Sequence, residues 1–254
     1  NKRNLKNSPH LTLDYRGHVE AKNTIQRWFI EETRLGIPAE FTNEGIHGLN
    51  HSRATALPAP IGIGSTWNRD LVRKAGEIVG AEGKALGYHN IYAPILDVPR
   101  DPRWGRTIEC YGEEPYLVAE LGVAMAKGVQ SQGVMATVKH FALNNQEFNR
   151  HHTSSDADER TMYEIYFPAF KAAVDAGVAS VMSSYNLVNN VHAAENKWLL
   201  TDVLRDEWGF DGFVMSDWTS TYSTLGCVRS GLDLEMPHGF CLKYEHIKPL
   251  IETG

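Results

Sequence analysis

The chain has 254 residues, with 25 basic and 31 acidic side chains, a formal net charge of −6 and no long charge run, which argues against a nucleic-acid partner. No apolar stretch approaches the roughly 20 residues needed to span a bilayer, and Asn1 to Leu13 lacks the charged-then-apolar order of a signal peptide. Cys110, Cys227 and Cys241 lie far apart without a CxxC pair, so neither a disulfide framework nor a zinc site is expected, and each is read as core packing.

Residues 19–36 place Ala21, Ile25, Trp28 and Phe29 at helical spacing, an amphipathic helix closed by glycine. Residues 37–41 read as a strand running into Thr42-Asn43-Glu44-Gly45-Ile46-His47-Gly48. A second helix covers 67–87, with Leu71, Val72, Ala75, Ile78 and Val79 on one face, and the strand 91–96 exits into Asp97-Val98-Pro99-Arg100-Asp101-Pro102-Arg103-Trp104-Gly105-Arg106. Helix 115–130 leads to strand 134–138, which ends in Lys139-His140. The long polar loop 143–160 that follows is of the kind that usually carries function. Helix 162–176, strand 179–182 with its exit Ser183-Ser184-Tyr185-Asn186, and helix 199–208 come next. Residues 213–215 form a short apolar strand buried on both faces, ending at Ser216-Asp217-Trp218. A helix over 219–228 and a strand over 232–236 complete the pattern.

Strand, polar exit and helix thus alternate about six times, which predicts an α/β fold with a parallel sheet and helices outside it. A (β/α)8 TIM-type barrel fits better than a doubly wound sheet, because functional-looking residues follow nearly every strand rather than gathering at one switch point. Six strands are two short of eight, so either two strands escape the pattern or part of the barrel is missing. The strand exits collect Glu44, Arg106, Lys139, His140, Arg150, Tyr185, Asp217 and Trp218. Bidentate polar groups together with flat rings suit a polyhydroxylated ligand.

Each of these residues also has a plainer explanation. Glu44 and Arg106 would serve as an ion pair closing loops, Lys139 and His140 as a solvated strand end, Trp218 as core, and Ser216 or Asp217 as the cap of the following helix. No HExxH, phosphate-binding lysine loop or GxSxG elbow is present, and no metal or cofactor is expected.

The segments Lys139-His140-Phe141, Asn144-Asn145-Gln146-Glu147, Asp158-Glu159-Arg160, Val181-Met182-Ser183-Ser184-Tyr185-Asn186 and Val214-Met215-Ser216-Asp217-Trp218 resemble glycoside hydrolase family 3. Asn43-Glu44-Gly45-Ile46-His47-Gly48 and Arg100-Asp101-Pro102-Arg103-Trp104-Gly105-Arg106 resemble two earlier signatures of that family, and all run in family order. The resemblance implies that residues 1–254 form the family's N-terminal barrel domain, part of a retaining exo-acting β-glycosidase with Asp217 as nucleophile. It places Glu44, Arg106, Lys139, His140 and Arg150 on sugar hydroxyls, Tyr185 beside the nucleophile, Trp218 flanking the sugar and Met182 as an apolar wall. Lys139 and Arg150 are the cations expected to keep Asp217 ionised.

In most members the acid/base is a glutamate from a C-terminal α/β sandwich domain, so a further domain or second chain is the implied partner. The β-N-acetylglucosaminidase branch is disfavoured because Phe141 is followed by Ala142-Leu143-Asn144-Asn145 rather than a Pro-Gly-His-Gly pattern. The implied substrate is an oligosaccharide or β-glucoside, with a β-xyloside as alternative, and the implied setting is secreted or periplasmic. Two other functions compete: a Schiff-base aldolase using Lys139, and a carbohydrate-binding barrel without turnover.

Overall fold

The computed structural model describes residues 15–253, so Asn1 to Leu13 lies outside the described residues. Six strands form one sheet: β1 (Thr42–Glu44), β2 (Asn90–Tyr92), β3 (Met135–Phe141), β4 (Ser180–Ser183), β5 (Phe213–Trp218) and β6 (Leu234–Met236). Their order in the sheet is their order in the chain, and every neighbouring pair is parallel. A doubly wound sheet would reverse its order at a switch point; a barrel does not.

The sheet is also strongly curled. Strands pack about 4.8 Å apart, so four steps across a flat sheet would separate β2 from β6 by roughly 19 Å. Instead the Tyr92 hydroxyl of β2 donates to Met236 Sδ of β6 at 3.1 Å. Among the described residues β1 and β6 do not pair with each other, so the expected barrel is present as a six-stranded arc.

The helices are α1 (Tyr15–Glu32), α2 (Arg69–Ala85), α3 (Pro115–Gln130), α4 (Pro168–Asp175), a more loosely wound helix Trp198–Glu207, α5 (Thr224–Ser230) and α6 (Tyr244–Thr253), of which all but α1 and α6 bury side chains in the core on the convex side. The outward side chains of the sheet, Ile91, Ala136, Val138, Val181 and Val214, are buried against them. α2 and α3 approach so closely that a Cβ on Gly128 would lie 2.3 Å from the Arg73 carbonyl oxygen, and one on Gly76 2.5 Å from that of Met125. Gly128→Ala is therefore expected to destabilise the chain by about 1–3 kcal/mol through overpacking, although alanine is favoured over glycine by about 1 kcal/mol in an open helix. A thermal melt checks this, and a raised midpoint would contradict the backbone contact.

Several boundaries move from their sequence-based positions for identifiable reasons. Ladder pairing in β1 begins at Thr42 rather than Ile37, because the Gln26 side chain bonds both the amide and the carbonyl of Ala39, at 2.7 and 2.8 Å. The helix expected over 162–176 is broken before Pro168, which has no amide proton to continue the ladder. β3 and β5 extend beyond their expected ends and carry Lys139, His140 and Asp217 within the strands. The helix expected over 219–228 begins at Thr224 and is capped by Ser223, whose Oγ accepts the Gly226 amide. Neither Ser216 nor Asp217 caps it. All three cysteines are buried with free thiols, and among the described residues no helix is long and apolar enough to cross a membrane.

Candidate active site

Strand alternation sends Tyr92, Met182, Met215 and Met236 to the concave side, where they pack into a small apolar floor. Two residues beyond Met215 on the same strand, Asp217 rises above that floor, only 4% exposed. Its Oδ1 accepts the Trp218 amide at 2.7 Å, and its Oδ2 has no donor at hydrogen-bonding geometry. Burial pushes this carboxyl above the usual aspartate range. The Lys139 ammonium, the Trp218 amide, the Tyr185 hydroxyl and the Arg106 guanidinium pull the other way without cancelling it. Tyr185 is close enough to favour the charged form although it lies outside hydrogen-bond geometry.

The β3–β4 register shifts between Val138 and Phe141, and this irregularity lets Lys139 and His140, neighbours in sequence, both face inward. Neither is a solvated strand end: they are 2% and 1% exposed. Phe141 anchors the end of the strand outside, its ring 5.0 Å from Phe170 and 5.6 Å from Phe167. Lys139 Nζ donates to Glu44 Oε2 at 2.7 Å, so Glu44 pairs with Lys139 rather than with Arg106. Arg106 instead grips Glu109 through Nε and Nη2, at 3.1 and 2.7 Å, and reaches His140 Nε2 through Nη1 at 3.0 Å.

Arg150 lies with its guanidinium carbon 3.8 Å from the Tyr185 ring centroid and pairs with Glu147 at 2.6 Å. The two cations acting most directly on Asp217 are therefore Lys139 and Arg106; Arg150 supports Tyr185 instead. His151 meets the edge of the same ring at 4.8 Å. Trp218 is half exposed at the rim and not in the core. Lys139, His140, Arg106 and Tyr185 thus converge on Asp217, with Glu44 and Arg150 one contact further out and Met182 beneath.

Residues 11–254 match the model described as the glycosyl hydrolase family 3 N-terminal domain. The chain belongs to glycosyl hydrolase family 3. A β-glucosidase of Rhizobium radiobacter is 47% identical over 229 residues, 87% of this chain and 28% of that protein. An exo-α-(1→6)-L-arabinopyranosidase of Bifidobacterium longum is 41% identical over 220 residues, 81% of this chain and 29% of that protein. The solved β-glucosidase of Listeria innocua in complex with glucose superposes with a TM-score of 0.84 at 36% identity, covering 92% of this chain and 35% of that one. This family 3 chain thus spans about a third or less of the length of these relatives.

Four supporting residues of the candidate site in this family 3 chain were not singled out from the sequence. Asp97 Oδ2 lies 2.7 Å from His140 Nδ1, Glu109 holds Arg106, and Glu147 accepts Trp104 Nε1 at 2.9 Å while pairing with Arg150. Asp97 follows the apolar run of residues 91–96 directly, the same strand-exit position that drew attention to Asp217. Glu147 and Trp104 stand inside segments already quoted for their family resemblance, and Glu109 lies three residues from Arg106, yet none had been given a role.

Proposed function

We propose that this chain is the nucleophile-bearing barrel of a retaining exo-acting β-glycosidase that cleaves terminal non-reducing β-D-glucosyl residues through a glycosyl-enzyme on Asp217. The observation that carries the reading is the buried carboxylate itself: one oxygen is held by a backbone amide, and the other is unpartnered on the concave side among cations and a phenol. A nucleophile needs that asymmetry, with one oxygen fixed for orientation and one free to reach the anomeric carbon.

Glu44, Lys139, Arg106 and Arg150 supply charged partners for sugar hydroxyls, Met182 lines the apolar floor, and Trp218 offers a flat face at the rim. His140, expected on a hydroxyl, has its ring nitrogens against Asp97 and Arg106 and supports Arg106 instead. Glucose as the sugar follows the names of the relatives, with a β-xyloside as the nearest competitor. The general acid is assigned to a further domain or second chain, and the setting to the secreted or periplasmic space, both by analogy with the family. The Schiff-base reading of Lys139 is weakened by its salt bridge to Glu44, and the binding-only reading by the free Oδ2 of Asp217.

The experiment is incubation with a 2-deoxy-2-fluoro-β-D-glucoside bearing a dinitrophenolate leaving group, which departs without strong acid assistance, followed by peptide mass spectrometry. The expected result is a single fluoroglucosyl adduct on the peptide containing Asp217. An adduct on another carboxylate would overturn the assignment of Asp217. No adduct from this chain or from the full-length protein, with the xyloside tried as well, would overturn the retaining mechanism.

A further inference from the structure

We propose that Asp97 is a positioning residue that fixes His140 as the neutral, Nδ1-protonated tautomer, so that Nε2 offers a lone pair to Arg106 and no proton to the nucleophile. The inference rests on the reading of Asp217 as the nucleophile, but its geometry stands without it. Asp97, His140 and Asp217 are 3%, 1% and 4% exposed, so no bulk water competes for their polar atoms. His140 Nδ1 lies 2.7 Å from Asp97 Oδ2, and the same oxygen accepts the His140 backbone amide at 3.2 Å. On the other side of the ring, Arg106 Nη1 lies 3.0 Å from Nε2.

A guanidinium only donates, so Nε2 must accept. A neutral imidazole has one donor and one acceptor, and its proton therefore sits on Nδ1 and points at Asp97. The opposite tautomer would set an Nε2–H against an Arg106 N–H and an Nδ1 lone pair against the lone pairs of Asp97. Burial, then Arg106, Lys139 and Arg150, hold the imidazole well below its usual range, which keeps it neutral. Burial pushes Asp97 the opposite way. With Oδ2 already accepting two N–H groups, any proton it binds belongs on Oδ1 and leaves the tautomer unchanged.

The consequence falls on Asp217, whose Oδ2 stands 3.5 Å from His140 Nε2. With no proton on Nε2, that approach is not an ion pair but two acceptors facing each other, Arg106 donating to Nε2 alone. The free lone pair of Oδ2 is therefore not tied up by a histidine proton, and His140 serves to aim Arg106 rather than to protonate its neighbour.

The test uses the full chain labelled with 15N-histidine, the His140 signals being identified by their loss in His140→Gln. Wild type is expected to show a protonated Nδ1 and an unprotonated Nε2 at neutral pH. Asp97→Leu removes the acceptor and is expected to populate the Nε2–H form. It is also expected to slow inactivation by the fluoroglucoside by about 10–100-fold, taking the range known for the carboxylates that orient metal-bound histidines. Asp97→Asn can present a carbonyl oxygen to both N–H groups and is expected to restore the tautomer and most of the rate.

A protonated Nε2 in wild type would overturn the proposal, as would a folded Asp97→Leu that keeps the Nδ1–H form. Should the leucine variant fail to fold, the wild-type and asparagine spectra decide on their own. The spectra need no turnover, so an absent sugar adduct would count against the proposed function and not against this assignment.

Discussion

Asp217→Asn is expected to give no covalent adduct with the activated fluoroglucoside and to lower turnover of an activated β-glucoside by roughly 10^4-fold or more, the scale of loss when a covalent nucleophile is removed. The amide has the volume of the carboxylate and can still accept the Trp218 amide through its oxygen, so the local geometry is retained. Stability should move in the opposite direction to activity. Burial raises the folded-state pKa of Asp217 above its unfolded value. For an acid this means that ionisation costs folding free energy, a cost absent below the unfolded pKa and growing until pH exceeds the folded one. The asparagine variant carries no such cost. Its unfolding midpoint should match wild type in acid and exceed it at neutral pH, the trade of stability for function expected at a reactive buried group. Melts across that range test the point together with the kinetics. Full activity would remove Asp217 from the mechanism, and a midpoint that falls at neutral pH would show that its charge is compensated.

How much of this was legible in the sequence follows from which interactions are local. The six β/α repeats are local, since a short apolar run, a polar exit and an amphipathic helix each declare themselves within about 15 residues. The arc of the sheet is not, because the Tyr92–Met236 contact that reveals it joins residues 144 positions apart. Asp217 was legible from its position after an apolar strand, and Trp218 and Tyr185 likewise. The pairings were not. Glu44 and Lys139 are separated by 95 positions, and Asp97 and His140 by 43, so charge balance alone suggested the wrong partner for Glu44 and left Asp97 unremarked. The misplaced start of β1 has a similar origin: residues 37–41 have the composition of a strand, yet the Gln26 side chain outcompetes the ladder at Ala39. Where a side chain takes over backbone hydrogen bonds, apolar patterning alone does not set the boundary.

Lys139→Met is expected to shift the acid limb of the fluoroglucoside trapping rate to higher pH and to lower the rate on its plateau by about 10^2-fold. The ammonium is the strongest single influence lowering the Asp217 pKa, and burial already holds that carboxyl high. Without the cation only the Trp218 amide, the Tyr185 hydroxyl and Arg106 are left to oppose desolvation, the folded-state pKa rises further, and a higher pH is needed to ionise the nucleophile. That part of the loss is recoverable by raising the pH. The plateau part is not, because methionine fills the space of the lysine stem but offers no donor to Glu44 or to a sugar hydroxyl. Removing one partner of a buried charged pair costs about 2–5 kcal/mol, and 10^2-fold sits at the lower end of that range because Glu44 is partly open to solvent. The two components separate in a single experiment, a pH–rate profile of trapping for wild type and variant. A plateau loss with an unmoved limb would make Lys139 a substrate contact that does not tune the nucleophile. A moved limb with an intact plateau would make it an electrostatic partner of Asp217 that leaves the sugar alone, and the Glu44–Lys139 pair would then lose its proposed place in the sugar site.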